Sequence, residues 1–182
     1  MPTYVAFLRG INVGGHKPVP MHKLKEAFEG LGFTNVRTLL VSGNVVFEAA
    51  VTSSATLKKR IEEKLKKSFG FEIGTLIRTL GELRKLSRSQ PFKGGTVTPQ
   101  TRLYVTFLSE KPKGTLKIPY ESADGHFRIL FALPKEVCSV LTLSPTSRTA
   151  DLMAVIEKEF GKNVTTRNWN TVERVLKMDE NA

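Results

Sequence analysis

Four side chains that can hold or move charge, Arg9, Asn12, His16 and Lys17, fall within nine residues of one another. They sit in the stretch Leu8-Arg9-Gly10-Ile11-Asn12-Val13-Gly14-Gly15-His16-Lys17-Pro18-Val19-Pro20. Cations and amide groups on a glycine-rich connection that leads into a helix are suited to an anion such as phosphate or carboxylate. Gly14 and Gly15 let the backbone approach a ligand closely. The spacing is near that of a phosphate-binding P-loop but fails it: His16 stands between the second glycine and Lys17, and Pro18 replaces the hydroxyl that would hold magnesium. The stretch therefore reads either as an anion site without nucleotide hydrolysis or as a turn that closes a strand onto a helix.

Two further clusters carry recognition chemistry. Ser42-Gly43-Asn44 interrupts two β-prone runs, and Thr166-Arg167-Asn168-Trp169-Asn170-Thr171 holds the sole tryptophan between two asparagines. Arg167, Asn168 and Trp169 could clamp and stack a base or sugar, or Trp169 could be a buried side chain with its indole N–H paired. His16, His22 and His126 are scattered, and none has metal-ligand spacing with Cys138. Ser42 is not in a nucleophile elbow, and Glu62 and Glu63 are helix neighbours that diverge. No cofactor or metal is implied.

These groups need elements to position them. Tyr4–Leu8 reads as a buried strand, and Met21, Leu24, Phe28 and Leu31 mark an amphipathic helix. The runs Val36–Val41 and Val45–Phe47 around Ser42-Gly43-Asn44 predict a hairpin. Ser53 or Ser54 can cap a helix bearing Leu57, Ile61, Leu65 and Phe69, with Gly70 as its stop and Glu62–Lys66 and Glu63–Lys67 as i,i+4 pairs. A strand over 71–79 completes β-α-β-β-α-β, the split βαβ order. In that order the connection after the first strand and the hairpin before the third share one end of the sheet. Arg9–Pro20 and Ser42–Asn44 are therefore expected side by side.

Leu80–Ser89 reads as a linking helix. The second half repeats the order less cleanly. Strands are expected over 103–108, 127–131 and 137–143, with one or two helical turns in 111–119 and a turn at Asp124-Gly125. Thr149 is expected to cap a helix through Leu152, Ile156 and Phe160, Val164–Thr166 to form a last strand, and Asn170 with Glu173 to make a capping box. The expected architecture is α+β: two tandem ferredoxin-like domains with antiparallel sheets, over residues 1–90 and 102–182, joined by a linker at 91–101.

The 182 residues suffice for one large or two small cores. The net charge is +11, and residues 1–90 carry most of it, with 15 basic against 7 acidic side chains. Such a field attracts nucleotides, nucleic acid or acidic partners. No apolar run reaches membrane-spanning length, no signal-peptide pattern opens the chain, and one cysteine fits a reducing compartment. The expectation is a cytoplasmic protein that is not a membrane protein.

Leu8–Gly15, Ser42–Phe47 and Thr166–Val172 together resemble one bacterial family, the domain-of-unknown-function family numbered 1697. The resemblance implies two similar ferredoxin-like domains and no established activity. It also implies a lysine after Ser147, where this chain has Arg148. The functional expectation is binding of a phosphate-bearing ligand, a nucleotide or an RNA segment, at the glycine-rich loop, with nucleic acid bound weakly and without sequence preference. The site expected comprises Arg9, Asn12, Gly14, Gly15, His16, Lys17, Ser42 and Asn44, with Arg167, Asn168 and Trp169. The alternatives are an enzyme for a small anionic metabolite, with His16 as proton carrier, and a protein-interaction scaffold.

Overall fold

The computed structural model describes residues 1–95 and 97–180, without the side chains of Asp179 and Glu180. It is an α+β protein with five helices and two antiparallel sheets among the described residues. Two compact units divide the chain: Met1–Lys85 with the stretch from Val175 on, and Leu86–Arg174.

In the first unit β1 (Thr3–Leu8), α1 (Met21–Glu29), β2 (Thr34–Leu39), β3 (Asn44–Glu48), α2 (Ser54–Phe69) and β4 (Thr75–Thr79) build a sheet ordered β2-β3-β1-β4. β1 is central and pairs antiparallel with β3 and β4. Its near-continuous apolar run follows from this position, since Val5 to Leu8 are all fully buried. One face carries both helices. Leu24 and Phe28 of α1 and Leu57, Ile61 and Leu65 of α2 are fully buried there. Phe47 anchors this core, its ring 4.6 Å from Phe33 and 5.3 Å from Phe28. Ser53 caps α2 by accepting from the Thr56 N–H at 3.1 Å, and Gly70 ends it.

The solvent side of α2 pairs differently from expectation. Glu62 meets Lys58 at 3.6 Å, and Lys66 turns to Glu72 at 3.0 Å. The strand expected over 71–79 spans only Thr75–Thr79, and Glu62 Oε1 takes the Thr75 N–H at 2.7 Å on the open edge of the sheet. A capping box does occur, but at α3 (Leu80–Arg88): Thr79 Oγ1 accepts from the Glu82 N–H at 3.1 Å, and Glu82 Oε2 accepts from the Thr79 N–H at 2.8 Å.

The second unit has β5 (Thr101–Leu108), β6 (Tyr120–Glu121), β7 (Phe127–Ala132), β8 (Glu136–Thr142), α4 (Thr149–Phe160) and β9 (Val164–Asn168), in the order β6-β7-β8-β5-β9. Without the short edge strand β6 this is the strand order of the first sheet. The one or two helical turns expected in 111–119 are replaced by irregular chain. Its amides reach α4: the Gly114 N–H donates to the Glu159 carbonyl at 3.0 Å, and the Leu116 N–H to Glu159 Oε2 at 3.1 Å. Leu116 and Ile118 pack on the core formed by Leu108, Ile129, Leu141 and Ile156.

Two expected caps are corrected. Arg148, not Thr149, holds the N-cap position of α4 and makes no side-chain cap bond. Asn170 lies inside α5 (Trp169–Glu180), because β9 runs through Asn168 and the helix follows at once. The unit division falls within α3 and again within α5, whereas the sequence placed it at 91–101. Thr101 is already the first residue of β5, opposite Thr142, and Thr96 lies outside the described residues, as do residues 181 and 182 of the expected second domain.

Candidate functional site

The glycine-rich connection folds into a small hairpin. The His16 N–H donates to the Val13 carbonyl at 2.9 Å and the Asn12 N–H to the Lys17 carbonyl at 3.1 Å. Gly14 and Gly15 fill its two-residue turn with φ of 55° and 77°, the left-handed pair that a tight hairpin requires. Ile11 and Val19, both 2 % exposed, fasten the hairpin to the core, and Val13 to Pro18 are exposed.

Asn12 holds the base of this hairpin. Its Nδ2 donates to the Val19 carbonyl at 3.0 Å and the Val41 carbonyl at 2.7 Å, while Oδ1 accepts from the Val19 N–H at 2.7 Å. Lys17 Nζ donates to the Glu72 carbonyl at 2.8 Å. The Arg9 N–H donates to the Gly74 carbonyl at 2.9 Å, and the Arg9 side chain lies against Gly74. His16 is exposed near the hairpin tip.

The expected juxtaposition with Ser42–Asn44 is present. The Leu8 N–H donates to the Gly43 carbonyl at 2.9 Å, and a Cβ on Gly43 would sit 2.7 Å from Ile11 Cδ1. Asn44 is fully buried, and its Nδ2 donates to the Leu39 carbonyl at 2.8 Å and to Ser42 Oγ at 3.2 Å. Asn12 and Asn44 thus each satisfy backbone groups that the two turns leave open. A cleft of about 330 Å³ beside this region is lined by Glu62, Glu63, Lys66, Glu72, Ile73 and Gly74. Its three carboxylates make it a poor receptor for an anion.

Arg167, Asn168 and Trp169 belong to the second unit. Arg167 is 9 % exposed, and Nη1 donates to Thr165 Oγ1 at 2.8 Å and to the Thr166 carbonyl at 3.0 Å. Burial lowers its pKa to about 10, so it stays a cation at neutral pH while serving the fold. Asn168 is exposed, and Trp169 is half-buried at the start of α5. The Trp169 ring meets Phe92 edge to face at 5.4 Å and 63°. Together they wall an open groove of about 570 Å³ that Ser87, Gln90, Pro91, Lys93 and Glu173 complete.

Those partners of Trp169 were missed in the sequence, where 91–101 reads as linker. The available signal was Pro91-Phe92, an apolar pair inside an otherwise polar segment. Cys138 is fully buried, and burial, aided by the Glu136 charge, pushes its thiol up to about 12. It is a core side chain at neutral pH.

Among solved structures, the chain is similar over 97 % of its length to a conserved bacterial protein, SP0830 from Streptococcus pneumoniae. That match covers 98 % of the other chain at 21 % identity with a TM-score of 0.71, a likeness of fold. No curated protein matches. The family described as "Protein of unknown function (DUF1697)" matches residues 1–124, and the chain belongs to it.

Proposed function

We propose that this protein binds a nucleotide or a short RNA segment, and that the ring of the ligand enters the Trp169–Phe92 groove. The observation that carries this reading is the groove itself: two aromatic rings at its wall, Lys93 for a phosphate, and Gln90 and Ser87 for polar edges. Its volume of about 570 Å³ lies in the range of small-ligand sites. An aromatic face stacks on any base, and a neighbouring cation compensates phosphate. The glycine-rich hairpin of the first unit fits the role less well, since Asn12 and Lys17 already serve backbone carbonyls.

The same proposal takes each unit as a ferredoxin-like domain. The shared order of four strands supports this, with β-α-β-β-α-β complete in the first unit and the first helix lacking in the second. A cytoplasmic location goes with it, supported by a single cysteine that is free and buried. No helix among the described residues is long and apolar enough to cross a membrane.

Trp169 is its own probe, because the chain has one tryptophan. Titrating AMP, GMP, CMP and UMP should quench its fluorescence with saturation, and Lys93→Ala should weaken binding while leaving the emission of the free protein in place. Ribose 5-phosphate, which lacks a base, should bind far less. Saturation by no nucleotide, nor by a short oligoribonucleotide, would refute the reading.

A further inference from the structure

We propose that Ser144, His126 and Asp124 form an acyl-transfer site, with Ser144 as nucleophile, His126 as general base and Asp124 as the positioning carboxylate, acting on unhindered esters of short carboxylic acids. Nδ1 of His126 lies 3.1 Å from Asp124 Oδ2, and Nε2 lies 3.3 Å from Ser144 Oγ. The carboxylate holds the proton on Nδ1, which leaves Nε2 as an acceptor facing the hydroxyl.

The fold places these three residues by ordinary means. Asp124 sits in the turn between β6 and β7, where Oδ1 accepts from Ser122 Oγ at 2.6 Å and from the His126 N–H at 3.0 Å. Those bonds fix the side chain and hold its carboxyl below the usual range, so it is ionised at neutral pH. His126 precedes β7, and its carbonyl accepts from the Thr142 N–H at 2.8 Å across the β7–β8 ladder. Ser144 leaves β8 just beyond that bond, and so arrives beside the imidazole from 18 residues away.

The loop also prepares the hydroxyl. The N–H groups of Thr146 and Ser147 donate to Ser144 Oγ at 3.4 and 3.0 Å, and Ser147 Oγ accepts from the Ser144 N–H at 2.8 Å. The two amide donors fix the position of Oγ, and its own proton is left to point to Nε2. Ser144 is exposed, so an ester carbonyl can reach it without a channel.

The chemistry balances with water as the second reactant. Ser144 Oγ bonds to the carbonyl carbon as its proton passes to His126 Nε2. The C–O bond to the leaving alcohol breaks, and that oxygen takes the proton. Water then attacks the acyl-serine, giving one proton to Nε2, and the acid departs as the proton returns to Ser144.

The test is hydrolysis of p-nitrophenyl acetate by the full chain, with intact-mass and peptide mapping of the acetylated protein. Wild type should release p-nitrophenolate with an initial burst and carry acetyl on Ser144. Ser144→Ala and His126→Gln should each lower the rate roughly a hundredfold or more. His126→Gln leaves the loop's own hydrogen bonds untouched, which separates chemistry from folding. Asp124→Asn should lower kcat with KM little changed, a split that loosening of the turn alone would not give. Thr146 Oγ1 is 3.4 Å from Nε2 and 3.4 Å from Ser144 Oγ, so Thr146→Ala tests the rival nucleophile and should lower the rate far less than Ser144→Ala. A wild-type rate no higher than that of Ser144→Ala, acetyl confined to lysines, or loss of rate with Thr146→Ala but not Ser144→Ala would overturn the proposal.

Discussion

Replacing Asn12 with alanine decides whether the glycine-rich hairpin is held by that side chain or offers it to a ligand. Three hydrogen bonds to backbone disappear: from Nδ2 to the Val19 and Val41 carbonyls, and from the Val19 N–H to Oδ1. At about 0.5–1.5 kcal/mol each their loss costs about 2–4 kcal/mol, toward the upper end because the Val19 N–H is left near a buried side chain. Asn12 also has φ of 55°, which asparagine tolerates and alanine adopts at about 1 kcal/mol or more. The expected total is about 3–5 kcal/mol, summing the two effects. Asn12→Gly removes the same bonds without the backbone penalty and should fall about 1 kcal/mol below Asn12→Ala. Equilibrium urea unfolding followed by circular dichroism, at matched pH and salt, measures both. An Asn12→Ala midpoint equivalent to less than about 0.5 kcal/mol, the range of ordinary surface changes, would refute the clip. Asn12 would then return to the ligand site.

Other expectations follow from single positions. Gly43→Val should cost about 2–4 kcal/mol in the same assay, since φ is 83° there and a Cβ would stand 2.9 Å from that of fully buried Leu8. Gly125→Val should cost only the backbone term of about 1–2 kcal/mol, as the nearest atom to an added Cβ is Glu121 Oε1 at 3.9 Å. Cys138 should resist iodoacetamide at pH 8 in the native protein and react readily in urea. Because its pKa is raised from 9.0 to about 12 in the fold, stability should decline as pH rises above 9, and less steeply in Cys138→Ala. Ser139→Ala should keep or raise stability, because Ser139 Oγ is buried with no hydrogen-bond partner; a loss above 1 kcal/mol would contradict that.

The first unit was legible because its signals are local. Leu57, Ile61 and Leu65 repeat at helical spacing, and Gly43 splits two β-prone runs, so strand order and the meeting of the two turns followed from topology. What stayed hidden depends on pairings at long separation or on competition for one residue. Trp169 meets Phe92 across 77 positions, and the apolar pair Pro91-Phe92 signals a packed residue without naming its partner. Asn170 and Glu173 have capping-box spacing, but β9 extends through Asn168 and leaves no residue to begin the helix later. The working box at Thr79 and Glu82 has the same spacing and succeeds because β4 ends at Thr79.

The connection after the first strand of each sheet shows why a dense run of polar residues is weak evidence for a ligand. Such a segment leaves the ladder and must find partners for its backbone groups elsewhere. In the first unit Asn12 supplies them from within the segment, tying Val19 and Val41 together. In the second unit Glu159 of α4 does the same for residues 114 and 116. One solution gathers polar side chains into the loop and looks like a binding motif in the sequence; the other draws its carboxylate from a helix 43 positions away and looks like nothing. Both answer the same backbone requirement. A side chain in such a connection becomes a candidate for chemistry only after the bonds it owes the fold are counted. By that measure Asn12 and Asn44 serve the turns through their side-chain amides, whereas Ser144 Oγ, which also accepts the Thr146 and Ser147 N–H groups, has in addition the His126 imidazole at 3.3 Å, a contact that satisfies no backbone group.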